Sequence, residues 1–459
     1  MKSSLTGTSQ PATSATGRVA LYLIVALYLV TATVYNVTIP VGEAPDEADH
    51  IRYVEIVLKT GQLPTIPKDS PRYSYEAEQP PLYYLMQAAW MRLLWPNSTL
   101  LPDLQLNPDF SADTNFSFER GTPLNVFLHN YPSARDTPVH LMRLFSTLLG
   151  LLTLLLIWMA ARRALHNSEA PAIIATGFVA FLPGFTFTSA TVSNDSLAAT
   201  AGAAILLASI YMLQCGPTAQ AALLNGLATG LGMLSKRSLL VMLPVIALVP
   251  FLTTSSTRRQ RIQSASLSVV VALLLGVWSL VANVITYGDP FATAATLAAK
   301  AEIVSPLQGR PGYWLSVPYH LALYNSLWGA FGIRNIDLPN LLYAFYYILC
   351  LLALVGFIRR RKDLFTSDPP LLLLLVVTFL LVNAGVAYQN TQFWAVQGRL
   401  LLPAVPALAL GVAFGLSLVA RDILPTRRVS AISLGVLLII FLLLDWYALI
   451  QFIIYVYYA

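Results

Sequence analysis

Charge is scarce in this chain. Asp, Glu, Lys and Arg make up 11% of its 459 residues, against 56% hydrophobic, and the mean hydropathy is +0.64. Soluble domains carry about 25% charged residues, so a water-facing globule is excluded. Cysteine is nearly absent too. Cys215 and Cys350 lie in or beside apolar runs, where they suit small buried hydrophobes and supply no disulfide framework. The sequence contains no Walker loop, no Cys/His metal framework, no Gly-x-Ser-x-Gly elbow and no repeat of fixed period. The formal net charge of +6 does not point to nucleic acid, because the basic residues fall in short clusters between apolar runs.

What is abundant is long hydrophobic runs. About eleven are long enough to suggest membrane-spanning helices: roughly 18–39, 140–160, 170–189, 196–214, 220–235, 238–253, 266–286, 340–358, 369–388, 400–420 and 429–455. The fifth and sixth are short. Alternating apolar segments of barrel type are missing. The expectation is therefore an all-α polytopic membrane protein.

Orientation follows from the cations. Lys2 with Arg18, Arg162 with Arg163, the Arg258, Arg259 and Arg261 group, Arg359 through Lys362, and Arg427 with Arg428 all land on one side of an eleven-span chain. The positive-inside tendency makes that side cytoplasmic. The first run lacks a small-residue cleavage site and reads as a retained span. On this reading residues 1–17 are a disordered cytoplasmic N-terminus and 18–459 one transmembrane domain. Segments 40–139, 287–339 and 389–399, and the C-terminus, lie outside the plasma (inner) membrane.

Five short motifs concentrate the remaining polarity on that outer side. The first is Pro45-Asp46-Glu47-Ala48-Asp49-His50-Ile51-Arg52. The spacing predicts a helix over 47–60, ended by Gly61, with Asp46, Asp49, His50 and Tyr53 near one face. A carboxylate here suits a general base toward an acceptor hydroxyl, or a share in a divalent ion. A capping acidic turn at a water interface is the competing reading. The second is Tyr75-Glu76-Ala77-Glu78-Gln79-Pro80-Pro81-Leu82, leading into an aromatic helix over 80–95 that suits the membrane interface. Glu76 or Glu78 offers a further polar ligand there, and a solvated acidic turn competes. Residues 97–138, rich in Asn, Pro, Asp and Ser, read as an irregular lid.

The third is Ser193-Asn194-Asp195-Ser196, which helix capping explains by itself. The fourth is Lys236-Arg237 together with Arg399. Cations on the outer side run against the positive-inside trend, and a lipid phosphate or a snorkelling side chain accounts for them. The fifth, Tyr324 through Gly332, is apolar and aromatic, suited to lining a lipid or sugar site or to a packed re-entrant loop.

In combination these motifs resemble the GT-C glycosyltransferases, multispan enzymes that use polyprenyl-phosphate-linked sugars. Asp46-Glu47 looks like their first-loop acidic motif. Glu78-Gln79-Pro80-Pro81-Leu82-Tyr83-Tyr84 is similar to a segment of the protein O-mannosyltransferase and aminoarabinose-transferase branches. Closer still is a bacterial membrane-protein family of unassigned function within that superfamily. It shares the Pro-Asp-Glu…His start, the Ser-Asn-Asp-Ser turn, the Trp-Gly-x-Phe-Gly segment and the Gln-Gly-Arg…Leu-Pro segment. The aminoarabinose branch has Lys where this chain has Gln79.

The resemblance implies a membrane glycosyltransferase that moves a sugar from a polyprenyl-phosphate donor to a glycan, lipid or protein acceptor, with inversion if displacement is direct. It implies catalytic roles for Asp46, as base, and its partner Glu47, and substrate binding by His50, Arg52, Glu78, Lys236, Arg237 and Arg399. It leaves a divalent metal open. The rival readings are a secondary transporter, which wants ionisable groups near the midplane and paired halves, and a non-catalytic binder of lipid-linked sugars.

Overall fold

The computed structural model describes residues 14–95, 97, 99–110, 125–129, 136–164, 169–254, 256–299, 312–359, 369–393, 395–423 and 427–458. The expected disorder of the N-terminus lies, up to residue 13, outside the described residues. So do half of the expected lid and the cations at 360–362.

The architecture is a helical bundle with a small polar layer at one end. Among the described residues seven helices are long and apolar enough to cross a membrane, or nine if two bent pairs each count as one crossing. The eleven expected from sequence are not reached by that measure. Helix α1 (Ala15–Thr38) is capped by Ser14, whose hydroxyl accepts the Gly17 N–H. Helix α4 (Thr137–Ala164) runs back beside it. The third expected span is broken into α5 (Glu169–Ala180) and α6 (Pro183–Ser189), bent by 63°. Pro183 causes the break, because proline donates no N–H and clashes with the preceding turn. Helix α7 (Asp195–Cys215) returns to the far end and α8 (Ala219–Ser235) comes back. The fifth and sixth spans correspond to α8 and to the short pair made by the 3-10 turn Arg237–Met242 and α9 (Leu243–Leu252), both below full crossing length. Helices α10 (Arg258–Gly276) and α11 (Trp278–Tyr287) form the second bent pair, at 44°.

Then α12 (Thr293–Ala299), α13 (Val317–Gly329) and a hairpin of β3 (Ala330–Phe331) with β4 (Ile336–Asp337) follow. Helices α14 (Asn340–Arg359), α15 (Pro369–Gln392), α16 (Val405–Ile423) and α17 (Arg427–Leu449) complete the bundle. Where α14 meets α16, a Cβ on Gly356 or Gly415 would overlap the other helix's backbone. Small residues allow that close approach where lipid offers helices no hydrophobic drive to associate.

The polar layer grows from α2 (Glu47–Thr60) and α3 (Leu82–Leu94). Helix α2 occupies the predicted span. Glu47 and Asp49 in its first turn oppose the positive dipole end, and Gly61 ends it at φ 67°. Tyr53 on α2 and Tyr84 on α3 stack at 3.7 Å and 8°. This pair, with Tyr83, Met91 and the α4 residues Val139 and Met142, makes a core distinct from that of the bundle. The stretch expected to be irregular contains one regular pairing, β1 (Gln105–Leu106) against β2 (Phe127–Leu128).

The end of α1, the start of α4, the Ser193–Asp195 turn and the Ser235–Lys236 turn share one end of the bundle. Arg162, Arg163, Arg258, Arg259 and Arg261 fall at the other, by the direction of their helices.

Candidate active site

Four charged side chains form a continuous chain at the polar end. Arg399 pairs with Asp46 through one guanidinium nitrogen and with Asp195 through another, at 3.2 Å. The second Asp195 oxygen pairs with Lys236. The order is therefore Asp46–Arg399–Asp195–Lys236, alternating in sign. Arg399 also donates from Nε to Gln397 Oε1 at 2.6 Å and from Nη1 to Pro45 O at 3.4 Å. Of the basic pair that ran against the orientation rule, Lys236 thus has an anionic partner inside the protein.

Each member is placed by a different element. Asp46 is a non-glycine residue at φ 60°, in the left-handed region, immediately before α2. Such a conformation costs of order 1 kcal/mol and clusters at functional sites. Asp195 opens α7 and is fully buried. Lys236 ends α8. Arg399 lies in the 3-10 segment Gly398–Ala404. Gly398 lets that segment lie against α13, because a Cβ there would overlap the Leu327 backbone.

The chain borders a cavity of about 110 Å³ whose lining includes Asp46, His50, Glu76, Glu78, Lys236 and Arg399. Arg237, Gln389 and Phe393 also line it, and they line a second, largely apolar cavity of about 290 Å³ with Leu240, Val241 and Tyr388. The two cavities meet at Arg237. Its guanidinium donates to Phe291 O at 3.0 Å and sits 5.5 Å from the Phe393 ring centre. It makes no ion pair among the described residues.

His50 is buried against the polar cavity, with Nδ1 2.9 Å from the Tyr84 hydroxyl. Burial holds its pKa below 6.5; Arg399 adds to that, while Glu76, Asp46 and Asp195 oppose it. Its ring is therefore neutral at pH 7.

Glu47 differs from the sequence expectation of a catalytic partner. Its carboxylate is fully buried and faces Arg143, not the cavity. Arg143 grips it with a two-point fork at 2.8 and 2.6 Å, and the N–H groups of Gly42 and Val192 add two more bonds at 3.0 Å. The remaining Arg143 donors hold the carbonyls of Asn36, Ile39 and Pro40. Burial pushes the Glu47 carboxyl up, but Arg143 and the backbone donors outweigh it and hold it below 4.5. Glu47 thus fastens the loop carrying Asp46 to α4. Arg52 is exposed and does not line the cavity.

Two members went unrecognised. Asp195 read as a capping motif, yet the capping position, Asn194, makes no side-chain cap bond and instead contacts Gln79 Oε1 at 3.3 Å. Arg143 was hidden inside an apolar span. Its signal was a lone arginine in a membrane helix, which needs a buried partner.

No group of three or more His, Cys, Asp or Glu side chains positioned to hold a metal occurs among the described residues. The Asp46 and Asp195 carboxylates turn to cations instead, so this donor set does not fit a divalent ion.

Residues 137–283 match the family described as dolichyl-phosphate-mannose-protein mannosyltransferase. The structure is similar to ArnT from Cupriavidus metallidurans bound to undecaprenyl phosphate. The TM-score is 0.52 at 18% identity, over 88% of this chain and 61% of that one. It is also similar to the archaeal oligosaccharyltransferase AglB from Archaeoglobus fulgidus, in complex with an inhibitory peptide and a dolichol-phosphate. There the TM-score is 0.51 at 12% identity, over 95% of this chain and 55% of that one. The chain has the GT-C fold. It spans just over half the length of these GT-C neighbours. Curated proteins give no match. The charged cluster lies on the loops and helix ends at one end of the bundle, not at mid-helix as a transporter site would.

Proposed function

We propose that this protein is a membrane glycosyltransferase that takes its sugar from a polyprenyl-phosphate donor. The observation that carries the reading is the junction of the two cavities at Arg237. The apolar cavity suits an isoprenoid tail and the polar one a sugar. An arginine at their boundary, without a carboxylate partner among the described residues, suits the phosphate between them, since its planar fork matches phosphate oxygens. Lys236 and Arg399 line the same polar cavity. The likeness of fold to ArnT, which is bound to undecaprenyl phosphate, supports a polyprenyl-phosphate donor.

In the reaction, an acceptor hydroxyl enters the polar cavity beside Asp46. Its proton passes to the Asp46 carboxylate as its oxygen bonds to the anomeric carbon. The bond from that carbon to the phosphate oxygen breaks, and the phosphate leaves with the electron pair toward Arg237. Direct displacement inverts the anomeric centre. Arg399 holds the Asp46 carboxylate in place at the cavity. His50, Glu76 and Glu78 border the same space and suit the sugar hydroxyls. Positioning and fixed charges supply most of the acceleration. The basic residues at the opposite end of the bundle support a site facing away from the cytoplasm, with the N-terminus inside the plasma membrane. The acceptor is a glycan, lipid or protein.

Reconstitution tests this. The purified protein in liposomes containing the lipid-linked sugars of its host membrane, supplied with envelope glycans, lipids and proteins as acceptors, is expected to transfer one of the sugars to an acceptor and release polyprenyl phosphate. Asp46→Asn is expected to bind undecaprenyl phosphate without discharging any donor. Binding of the lipid at the same affinity by Arg237→Gln would contradict the placement.

A further inference from the structure

The segment Trp328-Gly329-Ala330-Phe331-Gly332 plays no part in the donor site, yet it leads into a third arginine in the same neighbourhood. Gly332 through Asn335 form the tight turn of the β3–β4 hairpin, in which the N–H groups of Arg334 and Asn335 both reach Phe331 O at 3.1 Å. Arg334 sits in this turn at φ 76°. A non-glycine residue is strained there, and such strain collects at ligand clamps.

The turn points the Arg334 side chain at a separate cavity of about 30 Å³. Its lining includes Arg334, Arg399, Gln397, Thr188, Thr191 and Ser193. Arg399 and Gln397 also line the cavity beside Asp46, so the two spaces share a wall. The donors in this wall are unequally engaged. Those of Arg399 are directed to Asp46, Asp195, Gln397 and Pro45. Thr188, Thr191 and Ser193 donate their hydroxyl protons to Gly184 O, Thr188 O and Asp195 Oδ2, leaving lone pairs. Arg334 has one long hydrogen bond, to Ala322 O at 3.5 Å, and no ion pair within 4 Å among the described residues. Asp337 is its charged neighbour at longer range. A half-buried guanidinium with most donors open calls for an anion.

We infer that Arg334 marks a subsite for an oxyanion carried by the acceptor, a carboxylate or a phosphodiester, next to the hydroxyl that receives the sugar. The inference rests on the transferase reading of the shared cavity and narrows its acceptor to an acidic one. The oxyanion takes the Arg334 fork and the Gln397 amide, and a neighbouring acceptor hydroxyl donates to Thr188 or Thr191. About 30 Å³ admits one functional group and no sugar ring. The body of the acceptor therefore stays in the space beside Asp46.

The test is equilibrium binding to the full-length protein in nanodiscs without donor lipid. The probes are glucuronate, the phosphodiester glycerophosphoglycerol and neutral glucose. The wild type is expected to prefer both acids to glucose. Arg334→Gln is expected to weaken the acids roughly tenfold or more, as loss of a charge-assisted contact implies. Arg334→Lys, which keeps charge but not the fork, is expected to fall between. Arg237→Gln is expected to leave the acids unaffected and to lose undecaprenyl phosphate. Retained undecaprenyl phosphate binding by Arg334→Gln shows that it is folded. If the wild type does not distinguish the acids from glucose, or Arg334→Gln binds them as the wild type does, the subsite is refuted. Loss of undecaprenyl phosphate binding by the wild type would instead refute the donor site.

Discussion

Arg399 and Asp46 stand 353 positions apart in sequence and meet as an ion pair at the edge of one polar cavity. The pair joins the first loop of the chain to the segment before its penultimate helix, so the site cannot form until the bundle has closed. The same arginine reaches Asp195 and, through it, Lys236. A carboxylate held this way is oriented before a ligand arrives.

The base assignment predicts a sharp separation of chemistry from binding. Asp46→Asn is expected to cut transfer by about 10²–10⁴-fold, the usual range for general-base catalysis, while undecaprenyl phosphate affinity stays within a few fold. Transfer rates and lipid binding on the same preparation check it. Transfer at more than a tenth of the wild-type rate would assign the base elsewhere.

Arg237 and Arg52 make a matched comparison, one at the junction of the cavities and one exposed. Arg237→Gln is expected to lower undecaprenyl phosphate affinity about tenfold or more, from loss of a contact worth about 1.5–3 kcal/mol. Arg52→Gln is expected to leave it unchanged. Native mass spectrometry with titrated lipid reads both. Equal losses would mean that the arginines act only through general surface charge.

Glu47 and Arg143 are predicted to act on stability. Arg143→Met leaves a fully buried carboxylate without its partner, at a cost of about 3–5 kcal/mol. Thermal unfolding followed by size-exclusion is expected to show a large fall in midpoint, with activity lost in proportion to folded protein. A stable variant with no transfer would return Glu47 to the chemistry.

Acid should destabilise the folded protein in two steps. Folded His50 resists protonation while unfolded His50 takes a proton near pH 6.5, so the unfolded state binds more protons and stability falls below about 6.5. Glu47 shifts downward, so its contribution is present above about 4.5 and is lost as pH falls through the lower folded value. Unfolding midpoints from pH 8 to 4 measure both limbs. His50→Gln is expected to flatten the upper one, and a wild type already flat between pH 7 and 5 would contradict this.

Local features were the most legible in sequence. Helix α2 could be bounded because its start and stop signals, two acids in the first turn and Gly61 beyond the last, act within a few residues. Asp46, Lys236 and Arg399 could be grouped because each was a charge where membrane topology disfavours one. Asp195 was missed because a local explanation, capping, sufficed, and its partners come from other helices. Glu47 was misjudged because its neighbour in sequence, Asp46, faces the cavity while its partner in space, Arg143, sits within an apolar run. The span count suffered where hydropathy alone cannot tell a full crossing from a short or broken one, as at Pro183.

The central claim is that this protein consumes a polyprenyl-phosphate sugar at Asp46. Mass-spectrometric profiling of membrane lipids tests it directly, in cells carrying the wild-type protein, no protein, or Asp46→Asn. One polyprenyl-phosphate sugar is expected to accumulate equally in the last two and to disappear with the wild type. Identical lipid profiles in all three strains, with no redundant transferase present, would contradict the account.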